Sequence, residues 1–275
     1  MPLVRTAELI GAPVAAFNVI TLEHAEAIAA GAERAGRPAI LQISHNAVRF
    51  HGGRLHPIAQ AAAAVARASD APLALHLDHV ESMQLLGAAA GAGFSSAMFD
   101  AGALPYADNV AATRSAAALA HDAGLWLEAE LGYVGGKPSA PASAHAAGVR
   151  TDPGEARAYV ADTGVDALAV AVGSSHAMTE RTAALDHDLI AQLCAAVPVP
   201  LVLHGSSGVP DDELRAAVRA GIVKVNVGTA LNVAFTGAVR AALAESTSSD
   251  PRGYLAAARE AMTTVVRDLL DVVSG

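Results

Sequence analysis

Cysteine is nearly absent from the chain, which has one, Cys194, among 275 residues. An internal disulfide is therefore excluded, and this suits a reducing compartment. Cys194 lies in the apolar segment LIAQLCAAV, so we expect its thiol in the core, without a function. Long hydrophobic runs are also missing, because Gly, Pro or a charge interrupts each before the roughly 18 residues that a membrane helix needs. The first residues lack the features of a signal peptide, and we expect a soluble, cytoplasmic protein.

Positive charge is scarce as well. The chain has 18 Lys and Arg against 27 Asp and Glu, which gives a formal net charge of −9. This balance argues against nucleic acid or an anionic membrane as a partner, while a local anion site stays compatible with it. Lysine occurs only as Lys137 and Lys224, so a Schiff-base mechanism has few candidates, of which Lys224 stays open.

Apolar, β-rich segments alternate with Ala-rich helical segments along the chain. This alternation is typical of a parallel sheet with crossover helices, and unbroken apolar strands indicate a sheet covered on both faces. Eight such rounds predict an α/β fold, a single (β/α)8 TIM barrel over residues 1–275 with a C-terminal helix. The predicted strands span residues 13–20, 38–44, 72–80, 94–102, 125–132, 166–174, 200–206 and 222–229.

Polar residues recur at the C-terminal end of each predicted strand. Because these ends meet on one face of a (β/α)8 barrel, residues far apart in the chain are expected to line one cavity there. The residues concerned are Asn18, Gln42, Ser44, Asp78, His79, Asp100, Glu130, His176, His204, Gly205, Asn226 and Thr229.

Three of these residues, His79, His176 and His204, could supply the three nitrogen ligands of a catalytic zinc. Asp100 and Glu130 offer oxygen ligands nearby. His76 lies one layer deeper on the third strand, where it would support the site or be a hydrogen-bonded core imidazole. For the other histidines we expect solvated surface positions: His24, His45, His51, His56, His121, His145 and His187.

Small residues follow the seventh and eighth strands, in HGSSGVPDDEL and KVNVGTAL. Turns at these two strands, followed by a helix N-terminus, form the usual phosphate site of such barrels. Ordinary tight turns are the alternative. The connection after the fifth strand, GYVGGKPSAPASAHAAGVRTDPGE, is far longer than the usual few residues, which predicts a functional loop or lid.

The ordered set of motifs AFNVI, HLDH, SSAMFDAG, EAELG, TDPGEARAYVADTGVDALAVAVGSSH, PLVLHGSSG, KVNVGTAL and DPRGYL covers nearly the whole chain. In this respect the sequence resembles the class II, zinc-dependent ketose-bisphosphate aldolases that act on fructose or tagatose bisphosphate. The resemblance implies retro-aldol cleavage of a ketose (bis)phosphate to dihydroxyacetone phosphate and an aldehyde, with a zinc-stabilised enediolate. It also implies a homodimer or homotetramer, and allows another divalent ion in place of zinc and a monovalent cation near the phosphate site.

The resemblance also assigns roles to single residues. It makes Asp78 the acid/base for the hydroxyl on the fourth carbon, and the three histidines the zinc ligands, with Asp100 and Glu130 as an alternative metal position. Arg252 would bind the second phosphate, in some members from a neighbouring subunit. The implied substrate and phosphate residues are Asn18, Ser44, Gly205, Ser207, Asn226, Gly228, Thr229 and Arg252.

The chain departs from the family pattern in its long loop, where Lys137 and Pro138 replace an acidic pair. One acid of that pair exchanges the proton on the enediolate carbon, and its loss would slow that exchange by about 10² to 10⁴-fold. His145, Asp152 or Glu155 could replace it. In addition, Ala177 stands where a Gly is usual, and Gly228 and Ala230 stand where many members carry polar or acidic residues.

Three functional hypotheses follow. The first is the zinc aldolase, including a relative with a different or non-phosphorylated acceptor. The second is a non-catalytic binding protein for phosphosugar and zinc that has lost the loop acid. The third, a zinc hydrolase, ranks last because the first strand, AFNVI, has no HxH pair.

Overall fold

The computed structural model describes residues 3–134 and 150–275. Eight parallel strands form a closed barrel in sequence order, in which β1 pairs with both β2 and β8. The strands are β1 Val14–Asn18, β2 Ala39–Ser44, β3 Leu73–Val80, β4 Ser96–Phe99, β5 Trp126–Leu131, β6 Ala167–Val170, β7 Leu201–Leu203 and β8 Ile222–Val227. The predicted (β/α)8 barrel is thus confirmed, with several strands shorter than expected.

Helices surround the barrel and bury their small, Ala-rich faces against it. They are α1 Thr6–Leu9, α2 Leu22–Ala35, α3 His45–Phe50, α4 Leu55–Ala68, α5 Met83–Ala92, α6 Tyr106–Asp122, α7 Pro153–Thr163, α8 His187–Ala196, α9 Asp211–Ala220, α10 Thr229–Glu245 and α11 Pro251–Val273. The last is the predicted C-terminal helix. Among the described residues, none of these helices is both long and apolar enough to cross a bilayer.

The N-terminal end of the barrel interior is apolar. Val14, Ile40 and Ala74 pack together inside the strands, and Leu9 and Ile10 at the end of α1 pack against them. This end is therefore closed by core packing, which leaves the opposite end for a cavity.

Toward the C-terminal end the inward side chains become polar. Gln42 is paired with His76 in the register of β2 and β3, and two residues further on Ser44 is paired with Asp78. Residues two apart share one face of a strand, so these pairs occupy successive layers of the interior. His76 is fully buried and its Nδ1 lies 2.8 Å from Ser96 Oγ, as expected for an imidazole below the site.

Two positions differ from expectation. Cys194 is exposed, because the buried stripe of α8 runs through Ile190 and Leu193, and the next residue points about 100° away. His24 is only 3% exposed and stacks on Phe235 with ring centroids 5.4 Å apart, because α10 covers this side of α2. The surface prediction for His24 and the core prediction for Cys194 were therefore wrong.

Candidate active site and metal centre

A cavity of about 760 Å³ opens at the C-terminal ends of the strands. Every strand or the turn that follows it contributes to its wall, as the barrel topology predicts. It brings together thirteen of the predicted residues: Asn18, Gln42, Ser44, Asp78, His79, Asp100, Glu130, His176, Gly205, Ser207, Asn226, Gly228 and Thr229. His204 is fully buried and lies directly behind the residues that line the cavity.

An irregularity at the end of β3 places two consecutive residues in the cavity. Adjacent residues of a regular strand point to opposite faces, so Asp78 and His79 should diverge. The β3–β4 register shifts between Leu77 and Val80, and His79 has a left-handed φ of 49°. A bulge of this kind re-aims a side chain, and here it turns His79 toward the same cavity as Asp78.

Four side chains form a compact cluster on the cavity floor. One ligand-type atom from each of His79, Glu130, His176 and His204 lies within 4.8 Å of the others. The three imidazole rings have centroids 5.1 to 5.8 Å apart and meet edge to face. Nitrogen and oxygen donors at such spacing can converge on a single cation.

Neighbouring carboxylates orient two of these imidazoles, each through a contact with one ring nitrogen. His79 Nδ1 lies 2.8 Å from Asp100 Oδ2, and His204 Nε2 lies 2.8 Å from Glu128 Oε1. A ring whose one N–H donates to a carboxylate presents its other nitrogen as a lone-pair donor. For His204 that nitrogen is Nδ1, which lies 2.9 Å from Glu130 Oε2, where it can carry either a proton or a metal ion.

The electrostatic field in the cluster favours positive charge. Burial lowers the pKa of His204, but hydrogen bonds with Glu128 and Glu130 outweigh burial and raise this pKa to about 9. Burial also lowers the pKa of His79, and the nearby aspartate carboxylates raise it above its ordinary value. Three imidazoles and a carboxylate are a donor set that zinc prefers, so the residues present fit a divalent metal.

Asp78 stands beside this cluster with its carboxylate oriented by an amide. Its Oδ2 accepts a hydrogen bond of 3.1 Å from Gln42 Nε2 and lies 3.8 Å from His79 Nε2. The same amide nitrogen donates to Asn18 Oδ1 at 2.8 Å. Asp78 is 2% exposed and borders the cavity, so its carboxylate can reach a bound substrate from a fixed position.

Below the floor lie Glu128, which was not singled out from the sequence, and Lys224, which was named only as a candidate for a Schiff base. Both are fully buried, and Lys224 Nζ lies 2.8 Å from Glu128 Oε2. Burial and the Lys224 ammonium hold the pKa of His76 well below its ordinary value, which keeps this imidazole neutral. The available signal was spacing, because Glu128 and Lys224 each precede a site residue by two positions and so share its inward face.

Lys224 does not line the cavity, and its ammonium is paired with the Glu128 carboxylate. A Schiff base needs a lysine nitrogen that can reach the substrate carbonyl. The geometry therefore removes Lys224 as the candidate left open by the sequence.

The turns after β7 and β8 lie together on one side of the cavity. Gly205 has a left-handed φ of 66°, and a Cβ on it would lie 2.6 Å from the Ser175 carbonyl carbon. Ser207 Oγ accepts from the Ala230 N–H at 3.1 Å, next to Thr229 at the start of α10. The small residues therefore let a ligand come close to the backbone beside the N-terminus of α10. This arrangement suits an anion.

The amide of Asn226 borders the same wall. It is 7% exposed, and neither its Oδ1 nor its Nδ2 makes a hydrogen bond to the described residues. Buried amides are normally satisfied, so these atoms are available to a bound ligand. Ala177 follows His176 with a left-handed φ of 60°, a conformation that favours the glycine usual at this position.

Other predicted residues lie elsewhere. Arg252, at the start of α11, does not border the cavity, and its side chain is 89% exposed and paired with Asp250. Asp152 caps α7 by accepting from the Glu155 N–H at 2.9 Å, and neither of these two residues borders the cavity. Three further predictions, on Lys137, Pro138 and His145, lie outside the described residues.

Together, the closed barrel and the cluster of imidazoles and carboxylates at its C-terminal end are typical of a (β/α)8 enzyme with a candidate metal site. The family model "Fructose-bisphosphate aldolase class-II" matches residues 2–275, and the chain therefore belongs to that family. The family predicted from the motifs is confirmed, and the chain is a lyase of the class II aldolase type.

Solved structures agree with this membership. The YdjI aldolase from Escherichia coli K12 is 28% identical, with a TM-score of 0.83 over 98% of this chain and 97% of that one. A protein from Coccidioides immitis assigned as a fructose-1,6-biphosphate aldolase is also 28% identical, with a TM-score of 0.86 over the same shares. Fructose-bisphosphate aldolase from Campylobacter jejuni, at 22% identity, shares the fold with a TM-score of 0.80 over 97% of this chain and 91% of that one.

Proposed function

We propose that this aldolase cleaves and forms a ketose (bis)phosphate, such as fructose 1,6-bisphosphate or tagatose 1,6-bisphosphate, with dihydroxyacetone phosphate and an aldehyde as the other partners. The observation that carries the proposal is the placement of Asp78 beside the cluster of His79, Glu130, His176 and His204 in one cavity. An acid/base next to a cation site is what retro-aldol cleavage of a ketose requires.

The metal would be zinc or another divalent ion held by His79, His176 and His204. When bound, it would supply a Lewis acid that withdraws negative charge from the ketose oxygens as the bond between the third and fourth carbons breaks. Glu130 and Asp100 are the proposed alternative ligands. In this structure Glu130 belongs to the compact cluster, while Asp100 contacts His79.

Asp78 would accept the proton of the hydroxyl on the fourth carbon. The electron pair of that O–H bond then forms the aldehyde carbonyl, and the bonding pair between the third and fourth carbons stays on the third. Gln42 keeps the Asp78 carboxylate turned toward this hydroxyl through its hydrogen bond. A fixed base avoids the reorientation that would otherwise slow proton transfer.

The phosphate on the first carbon would bind at the paired turns. Gly205 and Ser207 follow β7, Gly228 and Thr229 lead into α10, and all four line the cavity, so their backbone N–H groups would bind the phosphate beside a helix N-terminus. Asn226, Asn18 and Ser44 would contact the rest of the sugar, and a monovalent cation near the phosphate belongs to the same proposal.

The second phosphate is assigned to Arg252. Because this residue does not border the cavity of its own chain, it would have to reach the cavity of a neighbouring copy. This placement supports the homodimer or homotetramer that the family resemblance implies. A cytoplasmic location stays a separate prediction. If Arg252 contacts no active site in any copy, an acceptor aldehyde without a phosphate becomes the better proposal. That residues 1–275 form one domain stays a prediction.

The test is a coupled assay of the purified protein against ketose 1-phosphates and 1,6-bisphosphates, with metal content measured on the same sample. We expect turnover of at least one ketose phosphate, its loss on complete chelation, and its return with zinc or cobalt. Robust turnover after complete metal removal contradicts the proposal. Metal and phosphosugar binding without aldehyde release would instead favour the non-catalytic protein that the Lys137 and Pro138 replacements suggest.

A further inference from the structure

We infer that Glu128 and Lys224 form a buried charge pair that positions the metal ligand His204, an inference that rests on the proposed metal-dependent function. Neither residue touches the cavity, so both act through other groups and are positioning residues. The inference adds two side chains below the floor to those that would hold the metal and move the proton.

The contacts form a continuous path from the ammonium to the cluster. Lys224 Nζ donates to Glu128 Oε2 at 2.8 Å, and the other oxygen of the same carboxylate, Oε1, accepts from His204 Nε2 at 2.8 Å. His204 Nδ1 is thereby directed at Glu130 Oε2, 2.9 Å away. The Glu128 carboxylate thus keeps a proton on Nε2 and fixes the ring orientation of His204, so that Nδ1 is the nitrogen that would bind the metal.

Lys224 explains why the Glu128 carboxylate is tolerated in the buried interior of the barrel. All three side chains of the path, Lys224, Glu128 and His204, are fully buried. An unpaired carboxylate there would be strongly unfavourable, whereas a paired and hydrogen-bonded one is tolerated. Since apolar residues of similar volume often stabilise a protein equally well, stability alone gives little reason to place this pair in the barrel.

The same ammonium also orients the amide that holds Asp78. Lys224 Nζ lies 3.4 Å from Gln42 Oε1, while Gln42 Nε2 donates to Asp78 Oδ2 at 3.1 Å. A cation on the oxygen side of the amide and a carboxylate on its nitrogen side favour this orientation over the flipped one. One buried pair therefore supports a metal ligand and the proton-transfer residue together.

The experiment separates positioning from general stability. Zinc affinity is measured by competition with a chromogenic chelator, and melting temperature by calorimetry, for Glu128→Gln, Lys224→Met and the double variant. Tyr159→Phe is the matched control, because it removes a buried hydrogen bond of 2.7 Å to Asn109 between α6 and α7, and neither of these residues lines the cavity.

We expect Glu128→Gln to weaken zinc binding by about 10- to 100-fold, the usual effect of removing a partner of a metal-bound histidine. Lys224→Met should lower the melting temperature, because it leaves the Glu128 charge buried without its cation. The double variant removes both charges, so it should fold and recover melting temperature while its zinc affinity stays low. Tyr159→Phe should lower the melting temperature without changing zinc affinity.

Two results would overturn the inference. One is wild-type zinc affinity in Glu128→Gln, and the other is a double variant that recovers zinc affinity together with melting temperature. Failure of the wild-type protein to bind zinc or another divalent ion would instead contradict the proposed function, so the two failures are distinguishable.

Discussion

The floor of the cavity and its rim hold their polar side chains in different ways. On the floor, fully buried His204 lies between Glu128 and Glu130, at 2.8 and 2.9 Å. At the rim, Ser207 in the turn after β7 is only half-buried, and its Oγ accepts from the Ala230 N–H at 3.1 Å. His79 and Glu130 of the floor lie on strands and His204 directly follows β7, whereas the rim consists of turns and helix starts. His176 is the exception on the floor, because it lies in a turn after β6. We infer that the floor sets the chemistry and the rim sets the substrate.

The largest effect should come from removing a proposed metal ligand on the floor. His176→Ala is expected to lower cleavage by about 10⁴-fold, because the loss of Lewis-acid charge stabilisation is worth several kcal/mol. Bound metal and turnover are measured on one sample. His187→Ala, a half-buried histidine of α8 paired with Glu213, is the control and should retain both. Full activity in His176→Ala contradicts its role as a ligand.

Removing the base without removing the metal should have the next largest effect. Asp78→Asn keeps the shape of the side chain, so we expect turnover to fall by about 10³-fold while metal content stays the same. Asp162→Asn, at an exposed position of α7, should behave as wild type. A metal-loaded Asp78→Asn enzyme with nearly wild-type turnover would exclude Asp78 as the proton acceptor.

At the rim we expect effects on KM. Gly205→Ala should raise KM for a ketose phosphate about tenfold, because the new Cβ meets the Ser175 backbone and shifts phosphate-binding N–H groups. Gly36→Ala is a matched control: its φ is 63°, close to the 66° of Gly205, but a Cβ there meets no atom within 4 Å. Equal changes in KM for both variants would contradict the phosphate assignment.

Arg252 offers a smaller and more selective test. Arg252→Ala should raise KM for a bisphosphate several-fold and leave KM for a ketose 1-phosphate unchanged, since only the second phosphate loses its partner. KM for both substrates is measured in Arg252→Ala and, as a control, in Arg267→Ala, which lies further along α11. Equal KM values for the bisphosphate in Arg252→Ala and wild type would remove Arg252 from the site.

The smallest effect concerns backbone strain at the rim. Ala177 has a φ of 60°, so Ala177→Gly should stabilise the fold by up to about 1 kcal/mol, measured by denaturant unfolding. Ala123→Gly, with an ordinary φ of −87°, should destabilise it. A loss of stability in Ala177→Gly would show that its left-handed conformation is not strained.

The sequence predicted the barrel and most of the cavity because both depend on period and position. Strands repeat with a period of two, and their C-terminal ends meet on one face, so thirteen predicted residues line one cavity. Asp78 and His79 were both assigned to the site, but no periodic pattern predicts the bulge that lets neighbours share a cavity.

Other features depended on long-range packing that local patterns do not contain. Glu128 and Lys224 are 96 residues apart, and their pairing exists only once the barrel closes. His24 becomes buried because α10, more than two hundred residues later in the chain, covers it with Phe235. Arg252 has the family's motif, but a motif does not say which cavity a side chain on an outer helix reaches.

The burial of Lys224 has a consequence for chemical labelling. Its amine is fully enclosed and paired with Glu128, so an amine-reactive reagent reaches it only when the barrel opens. Under conditions where opening limits the reaction, the rate of acylation at this residue measures the opening of the closed sheet. The chain thus carries a built-in probe of its own unfolding at the centre of the barrel.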